Sequence, residues 1–258
     1  MTEEEKKRYA RQLSLAGVGE GGQEKLGLAS VLVIGAGGLG SPALLYLAAS
    51  GVGTLGIMDG DVIEVSNMQR QVIHSTHAIG TKKAESAAKR IREINPHVRV
   101  CVHGEHATVE NISDIIKNYD FVLDCVDNFS AKFLINDACV LAKKPFCHGG
   151  IREFYGQVMT YVPGPWPCYR CLFEEPPGEE TFGVIASLPG IIGSIQALEA
   201  QKYILGMEVL TGKMLTFDGI SMRTRTVTLG GMAAHCRVCG DNADIHELLA
   251  ANYRGKRI

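Results

Sequence analysis

Two pairs of cysteines stand at the spacing that metal ligation needs. Pro167-Cys168-Tyr169-Arg170-Cys171 and His235-Cys236-Arg237-Val238-Cys239-Gly240 are both C-x-x-C knuckles. Each presents two thiolates on a tight turn, and two knuckles complete a tetrahedral zinc shell. The stretch between them is much longer than in a zinc finger, so tertiary packing has to bring them together. Two separate redox pairs are the alternative, but neither knuckle opens a helix of a thioredoxin-like unit. Four protein ligands leave no open position, which predicts a structural metal that clamps the C-terminal segment onto the second half of the chain.

A second constellation lies near the N-terminus. Gly35-Ala36-Gly37-Gly38-Leu39-Gly40 fits G-x-G-x-x-G between a strand-like run and a helix-like run. Glycines there allow a tight turn and close approach of phosphate to a helix N-terminus. Asp59, about twenty residues on at the end of the next strand, is placed to bind ribose hydroxyls. The motif alone does not separate NAD from ATP. The following loop, DGDVIEVSNMQRQ, holds Asp59, Asp61, Asn67 and Arg70, and Lys83 opens the next helix. A triphosphate needs donors and fixed positive charge, best supplied by a guanidinium and an ammonium. Asp127-Asn128 adds a carboxylate at the C-terminal edge of the fourth strand, which makes Asp127 a candidate ligand for magnesium on ATP phosphates.

These residues need a frame, and the sequence alternates in the way that builds one. SVLVIG, TLGIMD, VRVCVH, FVLDCVD and PFCHGG read as buried strands. Helical runs separate them: PALLYLAASG, TKKAESAAKRIREIN, ISDIIKNY and SAKFLINDACVLAKK. Such alternation predicts a Rossmann-like, doubly wound α/β fold with a mostly parallel sheet. After Gly150, GQVMTYVP, KMLTFDG and RTRTVTL read as antiparallel additions. Residues 1–150 form the nucleotide-binding half and 151–258 the second half. Thr2 and Glu5 fit a capping box for an N-terminal helix. Gly17, Gly19, Gly21 and Gly22 read as a flexible connector before a short helix at Gln23–Leu26, and VIASLPGIIGSIQALEAQKYIL reads as a loop with Pro189 running into a buried helix.

The chain has 258 residues, 46% of them hydrophobic, and a formal net charge of −2. This suits one large α/β unit, and the near-neutral balance argues against coating nucleic acid or an anionic membrane. The charged first residues are no secretion signal and no membrane span is expected, so the default compartment is the cytoplasm. Of the eight cysteines, Cys101, Cys125, Cys139 and Cys147 sit among apolar neighbours and read as buried. His74, His77, His103, His106 and His148 read as surface or hydrogen-bonding residues.

In their order, RYARQ, GAGGLGS, DGDVIEVSNMQRQ, GTKKAE, DCVDNF, PCYRC, GVIASLPGIIGSIQALEAQK and CRVCG resemble the ThiF/MoeB/HesA adenylyltransferases, relatives of the ubiquitin-activating enzymes. The resemblance covers roughly residues 4–240 and implies one adenylation domain over 1–258. It implies ATP-dependent adenylylation of the C-terminal glycine of a small ubiquitin-like sulfur carrier ending in Gly-Gly, of molybdopterin-synthase or thiamine-pathway type. By position it implies that Gly38, Asp59, Asn67, Arg70 and Lys83 hold ATP, and that Asp127 holds Mg²⁺ with Asn128 beside it. Cys168, Cys171, Cys236 and Cys239 match the family's zinc ligands. The family is typically a homodimer, and Arg11 looks like its arginine that reaches the neighbour's phosphates.

One departure stands out. Several relatives carry a cysteine in the loop before GV-x-x-x-x-x-G-x-x-G, whereas here the loop reads EEPPGEETFGV. The chain also ends soon after the second knuckle, without room for a rhodanese-type domain. The expectation is adenylylation without a lasting enzyme–carrier thioester, with a sulfur donor in trans. Adenylylation of another peptide or amino-acid carboxylate, or NAD(P)-dependent oxidoreduction, are the alternative functions.

Overall fold

Five short apolar runs set the frame. In a computed structural model, which describes residues 1–173 and 183–253, these runs are β1 (Ser30–Ile34), β2 (Thr54–Met58), β3 (Arg99–His103), β4 (Phe121–Asp124) and β5 (Phe146–Arg152). They lie parallel in the order β3-β2-β1-β4-β5. The sheet continues antiparallel through β6 (Tyr155–Tyr161), β7 (Lys213–Asp218) and β8 (Arg223–Thr228), giving eight strands. One sheet therefore runs through both halves of the chain.

The described helices are α1 (Glu3–Arg8), α2 (Ala10–Leu13), α3 (Gly19–Leu28), α4 (Gly40–Ala49), α5 (Lys83–Ile94), α6 (Ile112–Ile116), α7 (Phe129–Leu141), α8 (Tyr169–Leu172) and α9 (Ser187–Leu205). They cover both faces. Val31 and Val33 enter a core with α4, α5 and α9, while Leu32 and Ile34 enter a second core with α6, α7 and the cysteine knuckles. Burial on both sides explains why β1 reads as a continuous apolar run without alternation. The strand order reverses between β1 and β4, and this leaves a crevice at their C-terminal ends where such sheets bind ligands.

Several local readings change. Gly19, Gly21 and Gly22 lie inside α3 rather than in a connector. A Cβ on Gly22 would meet Leu205 at 3.0 Å and Val18 at 3.1 Å, so close packing takes the place of helix propensity there. β4 stops at Asp124, which leaves Asp127 in the turn before α7. Pro189 is the third residue of α9 rather than part of a loop. In a first turn its missing N–H costs nothing. Cys101 is half-buried on β3, whereas Cys125, Cys139 and Cys147 are buried as expected. The Thr2–Glu5 capping box forms on both sides.

Candidate functional site

The glycine-rich turn is the local centre of the crevice. Gly35 adopts φ 95°, and a Cβ there would stand 2.7 Å from the Cys125 carbonyl oxygen, so only glycine lets the β1 and β4 loops touch. A Cβ on Gly40 would collide with the Gly35 carbonyl. Asp59, just past β2, fixes the turn from the side: its Oδ2 accepts the Ala36 N–H at 2.8 Å and its Oδ1 the Asp61 N–H at 2.9 Å. Burial pushes the Asp59 carboxyl above its usual range, with nearby Lys83 and the two N–H groups opposing.

The cationic side chains gather on the same loop. The Arg70 side chain packs beside Gly38, its Cγ 3.5 Å from the point a Gly38 Cβ would occupy, and its Nη1 donates to the Ser66 carbonyl at 3.2 Å. Asn67 spends its carbonyl oxygen on the Glu64 N–H at 3.0 Å. Lys83 is 7% exposed at the start of α5 and pairs with Asp61 at 2.8 Å. His106, on the loop after β3, stands 3.5 Å from the other Asp61 oxygen.

Asp127 is exposed on the turn that follows β4, and that turn abuts Gly35 through Cys125. Asn128 is the N-cap of α7, where its side chain accepts the Ala131 N–H at 2.8 Å. Gly38, Asp59, Asn67, Arg70, Lys83 and Asp127 thus share one sheet edge. Arg11 does not. Its helix α2 packs at the far end of α4, where Gln12 donates to the Ser50 carbonyl at 3.0 Å, and in the preceding α1 Arg8 donates to the Ile94 carbonyl at the end of α5 at 2.9 Å. Within one chain Arg11 is separated from the glycine turn by the length of α4.

The four knuckle cysteines meet. Their Sγ separations include 3.9 Å for Cys168–Cys171, 3.7 Å for Cys168–Cys236, 3.5 Å for Cys168–Cys239 and 3.4 Å for Cys171–Cys239. A tetrahedral ion with metal–sulfur bonds of about 2.3 Å sets sulfurs about 3.8 Å apart, so this cluster could hold zinc. Supporting donors are in place as well. Asn136 Nδ2 points at Cys168 Sγ at 3.7 Å, and the Ala233 N–H at Cys171 Sγ at 3.4 Å.

Several residues that the sequence reading passed over, or left with a general polar role, have defined work. His74, 6% exposed, bridges the Ala36 carbonyl at 2.9 Å and the Ser86 hydroxyl at 3.0 Å. The carbonyl can only accept, so Nε2 carries the proton and Nδ1 accepts. Burial holds the ring below its usual pKa and neutral. Asp137, fully buried, binds Arg170 of the first knuckle at 2.7 Å and accepts the Tyr253 hydroxyl at 2.9 Å. Asp124, His148 and Lys132 form another buried cluster. Lys132, Asn136 and Asp137 were visible as polar residues at helical spacing in an apolar helix, the one signal that could have found them.

Comparison with known proteins bears on the family and the fold. The ThiF family matches residues 9–238. An adenylyltransferase and sulfurtransferase MOCS3 of Culex quinquefasciatus is 43% identical over 249 residues, covering 94% of this chain and 57% of its own. The MOCS3 of Dictyostelium discoideum is 43% identical over 250 residues, covering 94% and 59%. The chain thus spans less than two thirds of the length of these relatives. Among solved structures, E. coli MccB with MccA-N7isoASN superposes with a TM-score of 0.80 at 22% identity, over 91% of this chain and 74% of that one. This likeness establishes the shared fold. With nearly its whole described length matched, the chain belongs to the ThiF family.

Proposed function

We propose that this chain uses ATP to adenylylate the C-terminal glycine carboxylate of a ubiquitin-like sulfur carrier ending in Gly-Gly, releasing pyrophosphate. The observation that carries the reading is Arg70 packed beside Gly38 in the crevice that also holds Asp59 and Lys83. A ribose acid next to two cations suits a triphosphate better than a hydride-transfer cofactor. Asp59 takes the ribose, and Gly38, Asn67, Arg70 and Lys83 line the phosphates. Asp127 is an exposed hard oxygen donor that fits magnesium, which when bound supplies positive charge to the phosphates.

The carrier's terminal carboxylate is ionised near neutral pH, so no general base is required. One of its oxygens bonds to the α-phosphorus while the bond from that phosphorus to the bridging oxygen breaks. Pyrophosphate leaves with the electron pair. The protein's part is orientation and charge neutralisation by Arg70 and Lys83. Lys83 meets the phosphates by exchanging its half-exposed partner Asp61.

The tetracysteine cluster holds a structural zinc ion in this reading, and its thiolates fit a reducing, cytoplasmic setting. The chain acts as a homodimer in which Arg11 of each copy serves the other's phosphates, which accounts for its place far from its own glycine turn. Sulfur reaches the acyl-adenylate from a donor in trans. The cysteine-free loop EEPPGEETFGV supports this, although 174–182 lie outside the described residues.

Carrier-dependent exchange of labelled pyrophosphate into ATP tests the proposal. Wild-type enzyme is expected to exchange only with a Gly-Gly-tailed carrier. Asp127→Ala abolishes exchange, and mixing Arg11→Ala with Asp127→Ala chains restores part of it through one intact site per mixed dimer. No exchange with any such carrier would overturn the function. Undiminished exchange by Asp127→Ala would overturn the magnesium role.

A further inference from the structure

The peptide groups of Ala36 are held by two side chains from different parts of the chain. Asp59 accepts the Ala36 N–H at 2.8 Å, which fixes the Gly35–Ala36 peptide plane. His74 Nε2 donates to the Ala36 carbonyl at 2.9 Å, which fixes the next plane, Ala36–Gly37. The other ring nitrogen of this buried histidine accepts the Ser86 hydroxyl at 3.0 Å. Ser86 lies one turn along α5 from Lys83. The His74 N–H donates to the Gln71 carbonyl at 3.1 Å, in the turn that carries Arg70. One ring thus joins the glycine turn, the Arg70 loop and the start of α5.

The Ala36–Gly37 plane is the one that local sequence leaves undecided. Turning it over changes ψ of Ala36 and φ of Gly37, and glycine takes either sign of φ at little cost. The bond is trans, so its carbonyl and its N–H point in opposite directions. With the carbonyl held on buried His74, the Gly37 N–H faces away from the ring. Gly37 is half-exposed, and neither its N–H nor that of Gly38 has an acceptor among the described residues. These are donors that a glycine turn offers to an anion at the start of the next helix, here α4. The reverse orientation would present a carbonyl oxygen in place of the Gly37 N–H, and that dipole repels phosphate.

We propose that His74 is a positioning residue for the nucleotide, latching the Ala36–Gly37 peptide with its carbonyl inward and its N–H toward the phosphates. The inference rests on the ATP reading above and deepens it. His74 touches no substrate and acts through the main chain. The latch requires the Nε2–H tautomer, and the Ser86 hydroxyl selects it by donating to Nδ1. Ser86 is thus a second positioning residue, acting through the first. The division of labour is clear: Asp59 holds one peptide plane of the turn and His74 the next.

Equilibrium binding of ATP and of adenosine tests the latch. His74→Asn places its carboxamide near the old Nδ1, within reach of Ser86 and short of Ala36. It should raise the ATP Kd about tenfold, the size of one net hydrogen bond, and leave the adenosine Kd unchanged. His74→Gln carries an amide N–H to the old Nε2 position and should recover most of the lost ATP affinity. On the unaltered protein, nitrogen NMR of the histidine rings should find His74 in the Nε2–H tautomer, whether or not the Asn variant folds. Equal losses for ATP and adenosine, or a loss in His74→Gln as large as in His74→Asn, would overturn the latch. So would an Nδ1–H tautomer in the unaltered protein, and in each case the triphosphate reading would stand. Wild-type protein that binds adenosine as tightly as ATP would overturn that reading and the latch with it.

Discussion

The glycine-turn crevice and the tetracysteine site are built on opposite terms. In the crevice the cations hold partners they can give up. Lys83 pairs with an Asp61 side chain that is 52% exposed, and among the described residues Arg70 holds a main-chain carbonyl. At the knuckles the supporting groups are committed. Asp137 is fully buried and saturated by Arg170, Asn136 and Tyr253. An ion pair with one wet partner is cheap to exchange, whereas a buried charge left alone is not. The pairs at the crevice are the exchangeable ones, and those at the knuckles are not.

The largest effect should come from chelating the zinc proposed for the four cysteines. Structural zinc contributes on the order of 10 kcal/mol in small domains. Chelation should therefore open residues 229–253 to limited proteolysis while β1–β5 remain protected. Equal protection with and without chelator would remove the clamp from the account.

Next is Asp137→Ala, which takes the buried carboxylate away from Arg170. Breaking a buried pair from one side costs about 3–5 kcal/mol, readable by denaturant unfolding. A loss of under about 1 kcal/mol would place this pair with the exchangeable ones.

A pH effect of intermediate size follows from His74. Its native pKa is held below 6.5, so as pH falls through that value the unfolded chain takes up a proton that the native chain refuses. The contribution is complete above that pH and is lost as pH falls toward the depressed native value. Between pH 7 and 5 wild-type stability should fall more steeply than that of His74→Gln, by up to about 1.4 kcal/mol per pH unit. Parallel curves would contradict the neutral bridge to Ala36.

The smallest expected effect is Asp61→Ala, within about 0.5 kcal/mol in stability, with ATP binding retained or tightened because Lys83 loses its resting partner. If Asp61→Ala cost as much as Asp137→Ala, the contrast between the two regions would fail.

Much of this contrast was legible in the sequence, but unevenly. Strand runs such as SVLVI, the glycine turn with Asp59, and the paired knuckles announce themselves because each is decided by residues close in the chain. Gly22 misled because its place in α3 depends on Leu205, far along the sequence. Lys132, Asn136 and Asp137 were passed over because their partners come from β4, β5 and the first knuckle. His148 was read as a polar residue, but register alone reveals that it sits opposite Asp124. Arg11 comes from the resemblance alone, and its place at the far end of α4, away from its own glycine turn, is set by packing that no local pattern announces.

The most direct test of the central claim is the mass of the carrier itself. Incubated with enzyme, ATP and magnesium under rapid quench, a Gly-Gly-tailed carrier should gain one AMP at its terminal carboxylate, with one pyrophosphate released. A carrier of unchanged mass beside bound or hydrolysed ATP would contradict it.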